Sequence, residues 1–191
     1  MSVPRHAVYF DFIDPLSYLL ATELDALDPE ESAPFVWHPF ELRPPPTPLV
    51  RVDDPTLSGR WARARRLGAE RGIVFDPPDL VPWTRKAHEL VLLGDEHEKS
   101  AALRDAIFRA HLLEGSDIGR VDVLVEIAVD LGLPRTETRA VLDVDTHRAA
   151  VAASRADAAS QGISDTPTLL VGDRRVEGFH NRDALGTLLR S

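Results

Sequence analysis

The stretch VYFDFIDPLSY, residues 8–18, holds the key to this chain. Val8 to Phe12 alternates apolar residues with the pleat of a strand and predicts one. Asp14 and Pro15 follow at once. Asp is a preferred helix N-cap because its carboxylate accepts the free N–H groups of the first turn, and Pro suits the first helical position. Leu16, Leu19, Leu20, Leu24 and Leu27 then recur at helical spacing. A strand runs directly into a helix, and Asp14 and Ser17 stand at the junction.

Outward from that junction, Phe35 to Phe40 predicts a second strand. The run RPPPTP, residues 43–48, predicts a rigid connector, since proline suits neither a helix interior nor a central strand. Helical patterns follow over Ser58 to Arg71, Thr84 to Leu93, Lys99 to Leu113, Asp122 to Leu131, Thr136 to Leu142 and Thr146 to Ser160. Gly72, Gly132 and Gly162 are placed as their stops. Thr168 to Val171 reads as a buried strand, Gly172-Asp173 as a hairpin turn and Arg174 to Val176 as its return. Asn181 caps a closing helix through Leu189. The predicted order is β-α-β, a helical block, then α-β-β-α.

Composition narrows the function. The chain has 191 residues, 43% of them hydrophobic and 28% charged, which is ample for a buried core. Its formal charge of −9 argues against nucleic acid and anionic membrane surfaces as partners. No apolar run nears the roughly 20 residues of a membrane span. The opening Met-Ser-Val-Pro-Arg-His lacks the pattern of a secretory leader, so a cytoplasmic location is expected. There is no cysteine. Thiolate nucleophiles, Cys-ligated zinc and dithiol redox chemistry are therefore excluded. No histidine pair has metal-ligand spacing, and no metal is expected.

The residues also resemble a known family. DFIDPLSY is similar to the D-F-x-C-P-W-C-Y entry of DsbA-like proteins, and VWHPFELRP to their W-x-P-F-x-L-x-P strand. AHELV and IFRAHLLEGSDIGRVDVLVEIAVDLGLP resemble the helical insert, and SRADAASQGISDTPTLLVGDRRVEG the stretch ending in G-V-x-G-V-P-T-F. The resemblance covers almost the whole chain. It implies an α/β thioredoxin fold with a large helical insertion. Residues 1–57 and 150–191 would form the thioredoxin-like domain, and residues 58–149 the insertion. Two branches bear on function: the FrnE-type dithiol oxidoreductases, and the 2-hydroxychromene-2-carboxylate isomerases with their glutathione-binding relatives. Asp14 departs from both at the first Cys or Ser position, whereas Ser17 matches the isomerase form at the second.

The resemblance implies catalytic positions at Asp14 and Ser17. It also implies a substrate or thiol site about Phe12, Leu16, Trp37 and His88, closed by Thr166, Pro167, His180 and Asn181. It makes Thr166-Pro167 a cis peptide facing the helix start. By their own chemistry the residues admit plainer roles. Asp14 is a helix cap, and a carboxylate held by N–H donors has a depressed pKa and is a poor base. It would also repel a thiolate. Ser17 is a first-turn hydroxyl near free N–H groups, with no histidine beside it in sequence; His38 and His88 are the candidates a fold would have to bring in. His88 as a lone helical histidine reads as structural. Asn181 reads as a cap. Arg60, Arg63 and Arg66 share a helix face, which is either solvated or a carboxylate-binding lip over the cleft.

Besides a structural or partner protein whose exposed surface does the work, two functions stay open. One is an isomerase or transferase on a small organic substrate, dependent on glutathione or another low-molecular-weight thiol. The other is a non-catalytic binding module that has lost a redox site. The resemblance also implies a homodimer.

Overall fold

The computed structural model describes residues 6–27 and 35–190. The predicted cap at Asp14 forms. Strand β1 (His6–Phe10) ends just before it, and helix α1 (Pro15–Asp25) begins directly after it. β1 pairs in parallel with β2 (Phe35–Pro39) on one side. On its other side it runs antiparallel to β5 (Thr168–Val171), which pairs antiparallel with β6 (Arg174–Glu177). The sheet order is β2-β1-β5-β6. All five β1 residues are buried, as expected of a strand covered on both faces. Val8 and Phe10 point into the main core with α1, while Ala7 and Tyr9 pack with Ala158 and Ile163 on the opposite face.

Between the two halves run α2 (Ser58–Ala69), α3 (Arg85–Glu96), α4 (Ser100–Leu112), α5 (Val121–Asp130) and α6 (Arg135–Asp143). Helix α7 (Arg148–Ser160) leads back to β5, and α8 (Arg182–Arg190) closes the chain. The fold is the DsbA-like thioredoxin fold. Gly72, Gly132 and Gly162 end their helices at positive φ of 70°, 89° and 72°, where a side chain would be strained.

One element was absent from the sequence reading. β3 (Val50–Arg51) and β4 (Leu80–Val81) form a small antiparallel ribbon. Strands of two residues carry no periodicity, and both lie near proline-rich segments, so no pattern announced them. The ribbon matters because it sets Val81 beside the N-terminal half of α2.

Candidate functional site

At the α1 N-terminus the chain brings five donors onto one carboxylate. Asp14 is fully buried. Its Oδ1 accepts from the Leu16 N–H at 3.1 Å and from Arg60 Nη1 at 2.8 Å. Its Oδ2 accepts from the Ser17 N–H at 3.1 Å, the Ser17 hydroxyl at 2.6 Å and the Thr166 hydroxyl at 2.9 Å. The cap is worth about 0.5–2 kcal/mol by its N–H bonds. Here it is also the hub of a buried network joining α1, α2 and the turn before β5.

Burial is the largest influence on Asp14 and pushes its pKa up, against the depression expected from N–H donors; Arg60, Ser17 and Thr166 pull it back down. The charge form follows from the geometry. Main-chain N–H groups and a guanidinium only donate, so they hold an ionised carboxylate. Burial likewise disfavours charge on Arg60, but Asp14 and Asp165 outweigh it and raise its pKa above the ordinary arginine value.

Arg60 does more than neutralise Asp14. Its Nη1 donates to the Thr166 carbonyl at 2.8 Å, and its Nη2 binds the Asp165 carboxylate. The Thr166 N–H donates to Asp165 Oδ1 at 2.8 Å. The Thr166-Pro167 peptide is cis, as expected. Both main-chain polar groups of Thr166 are thus engaged within the protein. The sequence puts Arg60 on a solvated face or a lip; in the structure it turns inward, and the carboxylates it binds, Asp14 and Asp165, are the protein's own. Arg63 and Arg66 stay exposed.

Beside this network lies a cavity of about 260 Å³. Ile13, Leu42, Leu57, Trp61 and Val81 give it apolar walls, and Thr56, Arg43 and Arg60 give it a polar edge. Leu42 is held there by Asp11, whose Oδ2 accepts the Leu42 N–H at 2.7 Å.

The other expected site residues disperse. Phe12 is buried and packs against His88 and Phe108. Leu16 is in the core, and only its N–H reaches Asp14. His88 is fully buried, with Nε2 3.3 Å from Asp11 Oδ1. It stands behind the cavity wall as a support for Asp11. Trp37 lies on β2 against Phe10 and Arg104, on a different cavity. Pro167 follows Thr166 and accepts the Gly178 N–H at its carbonyl. His180 Nε2 lies 3.2 Å from the Glu177 carbonyl. Asn181 caps α8, its Oδ1 accepting the Ala184 N–H at 3.0 Å. The structure thus joins Asp14, Ser17 and Thr166, and adds Asp165, which the sequence does not single out, and Arg60, which it offers only as part of a solvated face or a lip. No group of three or more His, Asp or Glu arranged to hold a metal occurs among the described residues. No helix among them is long and apolar enough to cross a membrane.

Comparison with known proteins agrees with this architecture. Residues 7–190 match the model of the DSBA-like thioredoxin domain. The Bacillus subtilis (strain 168) protein YwbO is 28% identical over 186 residues, covering 92% of this chain and 90% of YwbO. The crystal structure of the probable DsbA oxidoreductase SCO1869 from Streptomyces coelicolor superposes with a TM-score of 0.82 at 24% identity, over 97% of this chain and 88% of that one. A 2-hydroxychromene-2-carboxylate isomerase structure superposes with a TM-score of 0.77 at 19% identity, over 96% and 92% of the two chains. At these identities the structures share the fold.

Proposed function

The chain belongs to the DSBA-like thioredoxin domain family, and we propose that within it this protein is a binding module for a small, mainly apolar organic molecule, with no thiol chemistry of its own. One observation carries this reading. The position of the dithiol is filled by a carboxylate whose oxygens are saturated by internal donors, while a cavity with an apolar wall and a polar edge lies beside it. A buried carboxylate already paired with arginine is neither an accessible nucleophile nor a free base. At about 260 Å³ the cavity lies just below the roughly 300–1,000 Å³ of drug-sized ligand pockets, which suits a small molecule with an apolar body and a polar edge.

The glutathione-dependent isomerase or transferase implied by the resemblance asks more of the same residues. A Ser17 hydroxyl that activates a thiol must be free to donate to sulfur, and here it donates to Asp14 at 2.6 Å. A tripeptide that pairs with the chain beside Pro167 needs the Thr166 N–H and carbonyl, and both are engaged. In this arrangement the residues do not fit a glutathione-type thiol, so the binding reading is favoured. A homodimer and a cytoplasmic location remain part of the proposal; sedimentation of the purified chain tests the first.

Titration with indole, a neutral apolar probe, followed by ¹H–¹⁵N spectra, tests the reading. Saturable shifts at Ile13, Leu57 and the Trp61 indole are expected, with Kd of about 1 mM or tighter. Leu57→Trp, which fills the cavity, should abolish them. Absence of saturable shifts there, or turnover of a hydroxychromene-type substrate with added glutathione, would overturn it.

A further inference from the structure

A second cavity, of about 280 Å³, opens between β2 and the α3–α4 pair. Phe10, Phe35, Trp37, Val91 and Leu92 supply its apolar and aromatic wall. Arg104 also lines it. This arginine is 7% exposed, and its guanidinium carbon lies 3.8 Å from the centre of the Trp37 ring. Stacking satisfies the face of a guanidinium but none of its five N–H donors. No hydrogen bond from Arg104 to an acceptor is made among the described residues. The nearest carboxylate, Asp25 Oδ1, is 3.7 Å from Nη2, outside hydrogen-bond reach, and its side chain is 61% exposed.

The Arg104 nitrogens are not among the enclosed unpaired polar atoms, so they face solvent, where the acceptors of a ligand can take the place of water. Apart from Arg104, the cavity's polar lining is Ser100 and the exposed Asp95, and neither side chain is hydrogen-bonded to Arg104. Ser100 is the first residue of α4, whose start has no side-chain cap. Arg104 is one turn further along the same helix face. Free N–H groups at a helix start and a guanidinium over an aromatic ring are both arranged to receive an anion.

We propose that this cavity binds a small monocarboxylate with a flat apolar body, the carboxylate taken by Arg104 beside the start of α4 and the body lying against Trp37 and Phe35. The planar two-donor edge of arginine matches a carboxylate in geometry. Asp25, Asp95 and Asp105 all act on Arg104. They repel any anion, a dianion such as phosphate about twice as strongly as a monocarboxylate, so the singly charged ligand is the one that Arg104 can hold. The site is separate from the Asp14 cleft.

The test is a ¹H–¹⁵N titration of the full chain with phenylacetate, phenylacetamide and inorganic phosphate. Phenylacetate should give saturable shifts at the Trp37 indole and at the amides of Ser100 to Arg104. Phenylacetamide should bind about tenfold more weakly or worse, and phosphate should not bind. Arg104→Met keeps the volume over Trp37 and removes the charge. It should lose the preference for phenylacetate over phenylacetamide while melting at the same temperature as the parent or higher, since apolar replacement of a buried charge is often neutral or stabilising. Equal affinity for acid and amide, saturable shifts only around Leu57 and Trp61, or no saturable shifts would each overturn the proposal. The wild-type comparison of acid and amide decides even if that variant does not fold.

Discussion

Arg60→Met is expected to destabilise the fold by about 3 kcal/mol, the lower end of the range for removing one partner of a buried ion pair. The cost falls on Asp14. Its carboxylate has no exposure, and without the guanidinium it would be a buried charge facing only neutral donors. Four of those remain, from Leu16, Ser17 and Thr166, which keeps the cost from being higher. Asp14→Asn should cost less, about 2 kcal/mol: Asn also caps and Arg60 keeps Asp165 and the Thr166 carbonyl, but the Asn NH2 must face donors on one side. In the double variant the buried charge is gone, so most of the loss caused by Arg60→Met should be recovered. Urea unfolding of the four proteins gives the coupling energy directly. A loss below about 1 kcal/mol for Arg60→Met alone would show that the pair does not govern this region.

Acid should unfold the protein partly through His111. This side chain is 2% exposed, and its Nδ1 lies 3.2 Å from the Ser116 carbonyl. Burial lowers its pKa from 6.5 to about 4, with the Ser116 carbonyl, Asp11 and Asp117 pulling the other way. The folded state therefore binds fewer protons than the unfolded chain between these values. The contribution to stability is fully present above pH 6.5 and is lost as the pH falls toward 4. Between pH 7 and pH 4 that loss is about 3 kcal/mol. Burial lowers the pKa of His6 and His38 as well, which adds in the same sense, whereas the raised pKa values of Asp14, Asp25 and Glu89 act in the opposite sense. His111→Gln isolates the one group: its stability should fall less between pH 7 and pH 4, by about 3 kcal/mol. Parallel pH curves for parent and variant would contradict this.

Much of the fold was readable because its signals are local. The Asp14-Pro15 start, the alternation in β1, the glycine stops and the Asn181 cap each depend on neighbours in sequence. The site was only half readable for the opposite reason. Asp14 announces itself as a cap, but its decisive partner arrives from another helix. Within residues 60–66 nothing local separates Arg60 from Arg63 and Arg66. The one available sign was that Trp61, Ala64 and Gly68 make the buried face of α2, which puts Arg60 at the edge of that face. Asp165 was overshadowed by the neighbouring Thr166-Pro167. His88 and Trp37 were drawn to the cleft by resemblance. In this chain His88 supports Asp11, and Trp37 faces Arg104 across a separate cavity.

A buried ion pair stands at the first turn of α1. In a redox member of such a fold the first turn of α1 must stay accessible to a substrate. Here Arg60 ties α2 to that turn and to the Thr166 carbonyl. The cleft is held as a notch, apolar on one side and polar on the other, beside a closed polar lock.

Calorimetric titration of the purified protein with glutathione and S-methylglutathione tests that closure most directly. With Ser17 committed to Asp14 and both main-chain groups of Thr166 engaged, neither compound is expected to bind at millimolar concentration. Binding of either, with amide shifts at Ser17 and Thr166, would contradict the closed lock and return the protein to the thiol-dependent isomerases and transferases.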